Sequence, residues 1–166
     1  MVFIGVDPGI TGAIAVISDS QPVVFDIPTI HDDKNRSAID PVALKTMLLN
    51  AIAPARAELC VCVLEKAQSM PRDGTVGAFR YGVTYGIIKT ALLLSGFTVI
   101  ETPSNSWRPK LVGKGADKEA SRAMALERYP QLADSLSRKK DHNRAEAVLL
   151  ADYARMLYTP LVKGKI

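Results

Sequence analysis

The chain has 166 residues, of which 48% are hydrophobic and 23% are charged, with a net charge of +4. This composition is typical of one globular domain with a substantial core, and two domains would be cramped at this length. The apolar stretches are too short for a membrane span and the N-terminus lacks the pattern of an export signal, so we expect a cytosolic protein with no membrane partner.

The positive charge is concentrated in the second part of the chain. Residues 1–100 carry 8 Lys and Arg against 9 Asp and Glu, whereas residues 101–166 carry 13 against 8. Such an asymmetry favours a polyanionic partner, nucleic acid first, although a solvated helix surface would give the same count.

Three short strands are predicted at the start of the chain. The apolar runs Val2–Val6, Gly12–Ile17 and Pro22–Ile27 are separated by only a few turn-prone residues, which is typical of an antiparallel meander. A polar loop is expected at Ile30–Ser37. The helical spacing of apolar residues over Asp40–Ala53 then predicts a helix.

The next segment alternates strands with helices. The continuous apolar run Leu59–Leu64 predicts a buried strand, and its Cys60 and Cys62 are expected to be buried free thiols. A long helix over Val76–Leu94 and a fifth strand at Phe97–Ile100 follow. Because a helix precedes it, the fourth strand can lie parallel to the first strand and beside it.

The remainder is basic and mainly helical. We predict a Pro- and Gly-rich loop at Pro103–Gly115, a helix at about Asp117–Arg128 and a last helix at about Asn143–Leu157. The order βββαβαβ followed by helices, without repeats or a long linker, predicts a single α/β domain over residues 1–166. Its five-stranded mixed sheet, three antiparallel strands and then parallel ones, would be flanked by helices.

Two glycines give the long helix a small-residue face. Gly82 and Gly86 permit close packing of that helix, either on the sheet or across a dimer axis. Packing within the chain is the preferred interpretation.

Two acidic residues end strands that are predicted to be parallel neighbours. Asp7 follows the first strand and Glu65 the fourth, so both are expected at one edge of the sheet, where open α/β sheets bind ligands. Adjacent carboxylates repel each other and favour a proton or a divalent cation, and oxygen ligands select Mg²⁺ or Mn²⁺ rather than zinc. Taken singly, Asp7 could instead be a turn residue and Glu65 a solvated strand end.

A third acidic cluster stands at the start of the last helix. His142 and Glu146 are four residues apart and share one face, and Glu146 falls on the buried side. Asp141 is a candidate ligand or the helix N-cap, whose side chain would accept a backbone N–H of the first turn. His142 could be a ligand, a proton carrier or a residue of the cap region. With the two strand-end acids, these residues predict a two-metal site for in-line attack of water on a phosphodiester.

These motifs resemble those of the RuvC-type Holliday junction resolvases, especially the phage-type members. The matching segments are Gly5-Val6-Asp7-Pro8-Gly9 with Thr11-Gly12, the strand that ends in Glu65, the basic loop before Asp117-Lys118-Glu119-Ala120, and the helix with Arg144-Ala145-Glu146-Ala147. The resemblance implies a ribonuclease H-like fold, a homodimer, and Mg²⁺-dependent paired nicking of four-way DNA junctions, with Mn²⁺ able to substitute. It also implies a bacterial cytosol or a phage-infected host cell as the location.

The resemblance assigns roles to individual residues. Asp7 and Glu65 match the family's first two metal-binding acids, and Glu146 matches the last. Lys118 matches a basic residue associated with catalysis.

The sequence also departs from the family pattern. Asn143 stands where many bacterial members have an acid, so the remaining ligand is expected to be Asp141 or His142. The aromatic wedge expected a few residues after Glu65 is absent.

Several cations and one methionine are candidate DNA contacts. The cations after Trp107, which are Arg108, Lys110 and Lys114, lie in a glycine-containing loop that can approach phosphates. A loop that binds nothing would have a similar sequence. Met70 and Arg72, just past Glu65, are candidates for insertion at the crossover of the junction. The full set is Met70, Arg72, Arg108, Lys110, Lys114 and Lys118.

Other functions remain open. The first alternative is a catalytically weak or inactive protein of the same fold that binds branched DNA. Another is a ribonuclease H-like nuclease with a broader range of branched substrates. The segment Asp7–Gly12 also resembles the first phosphate loop of actin-like kinases, but that fold needs two such halves and the chain is too short for them.

Overall fold

The fold is an α/β arrangement around one central sheet. A computed structural model describes residues 1–18, 21–31, 33–52, 60–68 and 74–163. The strands are β1 (Val2–Asp7), β2 (Ala13–Ile17), β3 (Val23–Asp26), β4 (Thr29–His31), β5 (Ser37–Ile39), β6 (Cys60–Glu65) and β7 (Thr98–Thr102). The helices are α1 (Pro41–Ile52), α2 (Gly74–Leu94), α3 (Ser104–Leu111), α4 (Lys118–Arg128) and α5 (His142–Lys163).

The central sheet has five strands in the order β3-β2-β1-β6-β7. Strands β1, β2 and β3 pair antiparallel, whereas β6 is parallel to both β1 and β7. The predicted five-stranded mixed sheet is therefore confirmed, as is the pairing of the first strand with the strand that ends in Glu65. The register sets Val6 opposite Leu64, so the next residues, Asp7 and Glu65, lie side by side where the two strands end.

The sheet is covered on both faces. Alternate residues of β1 enter different cores: Val2, Ile4 and Val6 pack with α1 and α2, whereas Phe3 packs with α5 and the segments before it. Because side chains alternate along a strand, Asp7 lies on the α5 side of the sheet. Cys60 and Cys62 are buried free thiols, as predicted.

Strand β1 and helix α5 touch backbone to backbone at Gly5. A Cβ atom on Gly5 would lie 2.0 Å from the carbonyl oxygen of Ala147 and 2.2 Å from the backbone nitrogen of Ala151. Only glycine fits at this crossing. The contact brings the first turn of α5 against the end of β1 that carries Asp7.

A buried acidic residue fastens α4 to α5. Asp152 is 3% exposed, and its carboxylate accepts hydrogen bonds from Tyr129 Oη at 3.0 Å and Arg155 Nη2 at 2.5 Å. Arg128, in the last turn of α4, also donates to it. Because these partners satisfy the buried charge, Asp152 is compatible with the core.

Three local expectations are wrong. The segment Pro103–Gly115 is not a continuous loop, because residues 104–111 form α3, which buries Trp107 and Leu111. The polar loop at Ile30–Ser37 includes parts of an antiparallel pair, β4 with β5. Gly82 and Gly86 do not pack closely against any other described part of the chain, since a Cβ on either would meet none of its atoms within 4 Å.

Among the described residues, no helix is long and apolar enough to cross a membrane.

Candidate active site

Three carboxylates converge where β1, β6 and the start of α5 meet. Asp7, Glu65 and Glu146 each offer one oxygen, and these oxygens lie within 4.8 Å of one another. Glu146 is 5% exposed, and the other two are half-buried. Parallel strands place the first two acids side by side, and the β1–α5 contact supplies the third from above the sheet.

The local electrostatics oppose ionisation of this cluster. Burial, followed by repulsion from Glu146 and Glu65, raises the pKa of Asp7 to about 8. Burial and repulsion from Glu146 also raise the pKa of Glu65. Without a cation between them, one buried and two half-buried carboxylates repel each other, so Asp7 favours its protonated form at neutral pH.

Helix α3 contributes two groups that favour the ionised carboxylates. Trp107, fully buried, donates its indole N–H to Glu65 Oε2 at 3.1 Å, and this hydrogen bond lowers the pKa of Glu65. Arg108 Nη2 lies 2.9 Å from Glu146 Oε1, and its guanidinium stands 5.1 Å from the Trp107 ring centroid. Sequence reasoning treated Arg108 as a DNA contact in a loop and assigned Trp107 no role. The signal in the sequence was the pair Trp107-Arg108, the single tryptophan of the chain followed by a cation.

A lysine and a histidine from different helices form a second group. Lys118 Nζ, at the start of α4, lies 2.9 Å from His142 Nε2. The other ring nitrogen of His142 lies 3.3 Å from the carbonyl oxygen of Lys139, which fits Nδ1–H as the donor and Nε2 as the acceptor for Lys118. Lys118 also lowers the pKa of Asp7 by charge attraction, so this cation acts on the cluster.

Asp141 is held outside the carboxylate cluster. Its buried carboxylate accepts the backbone N–H of Arg138 at 2.8 Å and the guanidinium Nη2 of Arg138 at 2.7 Å. These bonds hold the pKa of Asp141 below its ordinary value. Asp141 thus closes a 3-10 turn before α5, and its carboxylate is bonded to Arg138 and not to the first turn of α5, where the N-cap alternative places it. The described carboxylate group contains neither Asp141 nor His142.

The loop after Asp7 is fixed from two directions. Asn143 Nδ2 donates to the carbonyl oxygen of Thr11 at 2.7 Å. Gly12 has no room for a side chain, because a Cβ would lie 2.3 Å from the carbonyl oxygen of Asp7. Asn143 therefore anchors the loop that follows Asp7.

The predicted DNA contacts fall in different environments. Arg108 is turned towards Glu146, whereas Lys110 is exposed, with Nζ 3.3 Å from the hydroxyl of Tyr153. Lys114 is exposed in the turn between α3 and α4. Met70 and Arg72 lie outside the described residues.

The carboxylate cluster fits a divalent metal. Its donors are all carboxylate oxygens, the ligands that Mg²⁺ and Mn²⁺ prefer. Oε1 of Glu146 is buried and, apart from its ion pair with Arg108, has no hydrogen-bond partner among the described residues, so it can still accept from a ligand beside the other two acids. The three carboxylates therefore have the chemistry and spacing of metal ligands.

Comparison with solved structures identifies the fold. Thermus thermophilus RuvC matches with a TM-score of 0.56 at 21% sequence identity, over 94% of this chain and 96% of that chain. T. thermophilus RuvC in complex with Holliday junction substrate matches with a TM-score of 0.58 at 22% identity and the same coverage. The chain has the RuvC fold. The ribonuclease H-like fold expected from the motifs is confirmed, and the resemblance to RuvC-type resolvases is supported across nearly the whole chain.

One curated relative is similar in sequence. Holliday junction resolvase MOC1, chloroplastic, from Chlamydomonas reinhardtii is 30% identical over an alignment of 151 residues, and the match covers 79% of this chain. The match spans 17% of the length of that relative. No protein-family model matches the chain. The phage-type assignment stays a prediction.

Proposed function

We propose that this chain, which has the RuvC fold, is a metal-dependent endonuclease that resolves four-way DNA junctions by paired nicks. The observation that carries the proposal is the convergence of Asp7, Glu65 and Glu146 at the end of the central strands. The relatives support the same substrate class, since one is named as a Holliday junction resolvase and another is RuvC with a Holliday junction bound.

The three carboxylates would hold Mg²⁺, or Mn²⁺ in its place. When bound, the ions supply Lewis-acid stabilisation and an activated water for phosphodiester hydrolysis. Arg108 partly offsets the repulsion among the acids and so favours the ionised form, which is the form that binds a cation, because its charge lowers the pKa of both Asp7 and Glu65. Trp107 has the same effect on Glu65 through its hydrogen bond and fixes the orientation of that carboxylate.

Lys118 is the cation that would face the reacting phosphate. His142 accepts a hydrogen bond from its ammonium group and so holds it on the side of Asp7. A fixed cation at this position stabilises the negative charge that develops on the phosphoryl oxygens in the transition state. In this proposal His142 is a positioning residue for Lys118, and Asp141 shapes the turn that carries Lys139 and His142.

The substitution Asp7→Asn tests the catalytic assignment. It removes one anionic ligand with little change in shape, so cleavage of a synthetic four-way junction in Mg²⁺ should be lost while junction binding persists. The matched control is Asp134→Asn, at an exposed aspartate between α4 and α5, which should cleave normally. Full cleavage by Asp7→Asn would show that the cluster is not the active site.

The substrate range is tested on a panel of DNA at fixed salt. A junction resolvase should cut the four-way junction in preference to flap, duplex and RNA–DNA hybrid. Tight junction binding by the native chain without cleavage in Mg²⁺ or Mn²⁺ would favour a binding protein of the same fold. Equal cutting of hybrid and junction would instead favour a broader ribonuclease H-like nuclease.

A second copy of the chain completes the proposed activity, because one chain has one described carboxylate cluster and a junction needs two nicks. Helix α2 offers the surface: Val76, Phe79 and Val83 are 70%, 72% and 47% exposed and recur at helical spacing. A groove of about 380 Å³ between α1 and α2 continues this apolar face past Gly86. Exposed apolar stripes of this kind mark protein–protein interfaces.

The dimer proposal predicts the result of sedimentation. Phe79→Glu places a charge in the centre of the stripe and should convert a dimer to a monomer. Ile30→Glu, at an exposed apolar residue of β4, is the control and should remain dimeric. A native chain that sediments as a monomer at micromolar concentration would refute the dimer.

The predicted cytosolic location stays a prediction.

A further inference from the structure

A cleft of about 840 Å³ opens beside the carboxylate cluster, between the start of α4 and the 3-10 turn that precedes α5. Lysines 118, 139 and 140 line it, together with Arg122 and His142. Two of these residues, Lys118 and His142, also belong to the site described above. The cleft therefore adjoins the site through these two residues.

The charge of the cleft is only partly compensated. Arg122 is paired with Glu119, with Nη2 2.5 Å from Oε1, so these two charges largely cancel. The carboxylate of Asp117 caps the N-terminus of α4, where it accepts the N–H of Ala120 at 2.8 Å. The end of α4 is thus already capped, and the helix terminus itself offers little to an anion.

Lys139 and Lys140 supply the excess positive charge. Both are exposed, and neither makes a salt bridge within 4.0 Å to any acid of the described residues. The backbone between them is nevertheless fixed, because the carbonyl of Lys139 contacts His142 and Asp141 closes the turn on Arg138. Two exposed cations on a hydrogen-bonded turn can engage a phosphate with little rearrangement of the backbone.

We propose that this cleft binds a backbone phosphate of the cleaved DNA strand, one that neighbours the phosphate at the carboxylates. The inference rests on the proposed function, because it places the scissile phosphate at Asp7 and takes Lys118 as the boundary between the two positions. A DNA strand presents a phosphate at every nucleotide, and lysines recognise such phosphates regardless of base. The contact sets the register of the strand in the site.

The test removes the charge of one DNA phosphate and the charges of Lys139 and Lys140, separately and together. Junctions that carry a single neutral methylphosphonate at successive positions around the cut are bound to Asp7→Asn protein, which should not cut them. We expect one position next to the cut to weaken binding by roughly tenfold, as for the loss of a hydrogen bond to a charged group. In protein that also carries Lys139→Gln and Lys140→Gln, the same methylphosphonate should cause no further loss.

Salt dependence gives an independent readout. The double lysine variant should lower the slope of log affinity against log salt by about 1, as expected for one lost phosphate contact. The control removes two charges from the β4–β5 turn, with Lys34→Gln and Arg36→Gln, and should keep the sensitive methylphosphonate position. The cleft assignment is overturned if no position is sensitive, if the lysine variant keeps the sensitive position, or if the control loses it.

Failure of this proposal differs from failure of the nuclease proposal. A native chain that binds but does not nick the junction refutes the nuclease, and the methylphosphonate scan still reports on the cleft. If the chain nicks the junction but the methylphosphonate scan gives the same result with and without Lys139 and Lys140, only the cleft proposal is refuted.

Discussion

The contact between Gly5 and helix α5 predicts that a single methyl group will misplace the third carboxylate. In Gly5→Ala, the new Cβ would lie 2.0 Å from the Ala147 carbonyl oxygen, whereas real Cβ contacts are essentially never shorter than 3.0 Å. Helix α5 and strand β1 must therefore separate by about 1 Å, since both partners at this point are backbone. Glu146 is one residue before Ala147 and moves with it.

Two effects of different size follow from this shift. Overpacking of a core costs roughly 1–3 kcal/mol, which lowers the melting temperature by about 2–4 °C per kcal/mol in a chain of this size. The variant therefore stays folded at 25 °C. A misplacement of about 1 Å in a catalytic group can cost roughly 100-fold in rate, so junction cleavage should fall far more than stability.

Cleavage rate and thermal unfolding are measured on the same preparation. Gly9→Ala is the matched control, because its Cβ would meet no atom nearer than 3.8 Å, and we expect its melting temperature to match that of the native chain. If Gly5→Ala keeps full activity with a lowered melting temperature, the β1–α5 contact does not position Glu146. An unchanged melting temperature would show that the two backbones are not in close contact.

The remaining predictions concern the buried polar groups. The pKa of Asp7 is about 8 in the folded chain, whereas its ordinary value is 3.8. Between these two pH values the folded chain without metal binds one more proton than the unfolded chain. Its stability therefore falls as pH rises through that interval. Asp7→Asn should therefore raise the melting temperature in chelator at pH 9 and change it little at pH 4; an equal effect at both would refute the shift. Trp107→Phe removes the hydrogen bond that lowers the pKa of Glu65. The acidic limb of the pH–rate profile should therefore move to higher pH, and the cleavage rate at pH 7 should fall about tenfold. A uniform loss at every pH would indicate a packing defect. Asp152→Asn weakens the bonds to Tyr129 and its arginine partners and should cost about 1–3 kcal/mol in denaturant unfolding without altering the metal dependence of cleavage.

The sequence predicts the sheet better than it predicts the surroundings of the site. Strand order follows from apolar runs and connection rules, so the adjacency of Asp7 and Glu65 could be inferred without coordinates. The inward orientation of Glu146 follows from helical periodicity. These inferences use only local patterns and the sense of neighbouring strands.

The roles of α3 depend on tertiary packing and could not be inferred in the same way. Pro109 and the glycines after Leu111 favour a loop, yet burial of Trp107 and Leu111 stabilises a short helix there. The arginine next to Trp107 then points at a buried acid, although the same residue in a loop would face solvent. The placement of Asp141 is similar, because its partner Arg138 belongs to a turn that has no apolar periodicity.

The basic charge of residues 101–166 has a more specific meaning in the structure than a general affinity for nucleic acid. The central strands and α5 supply the three acids, and their mutual repulsion makes the site unstable without cations. Arg108 and Lys118, from the two helices between β7 and α5, offset that repulsion by charge, whereas Lys139 and Lys140 are left facing the adjacent cleft. If the cleft takes a phosphate as proposed, the same stretch of chain both keeps the acids ready for metal and sets the strand beside them. Removing Arg108 should then impair metal binding more than DNA binding, whereas removing Lys139 and Lys140 should do the reverse.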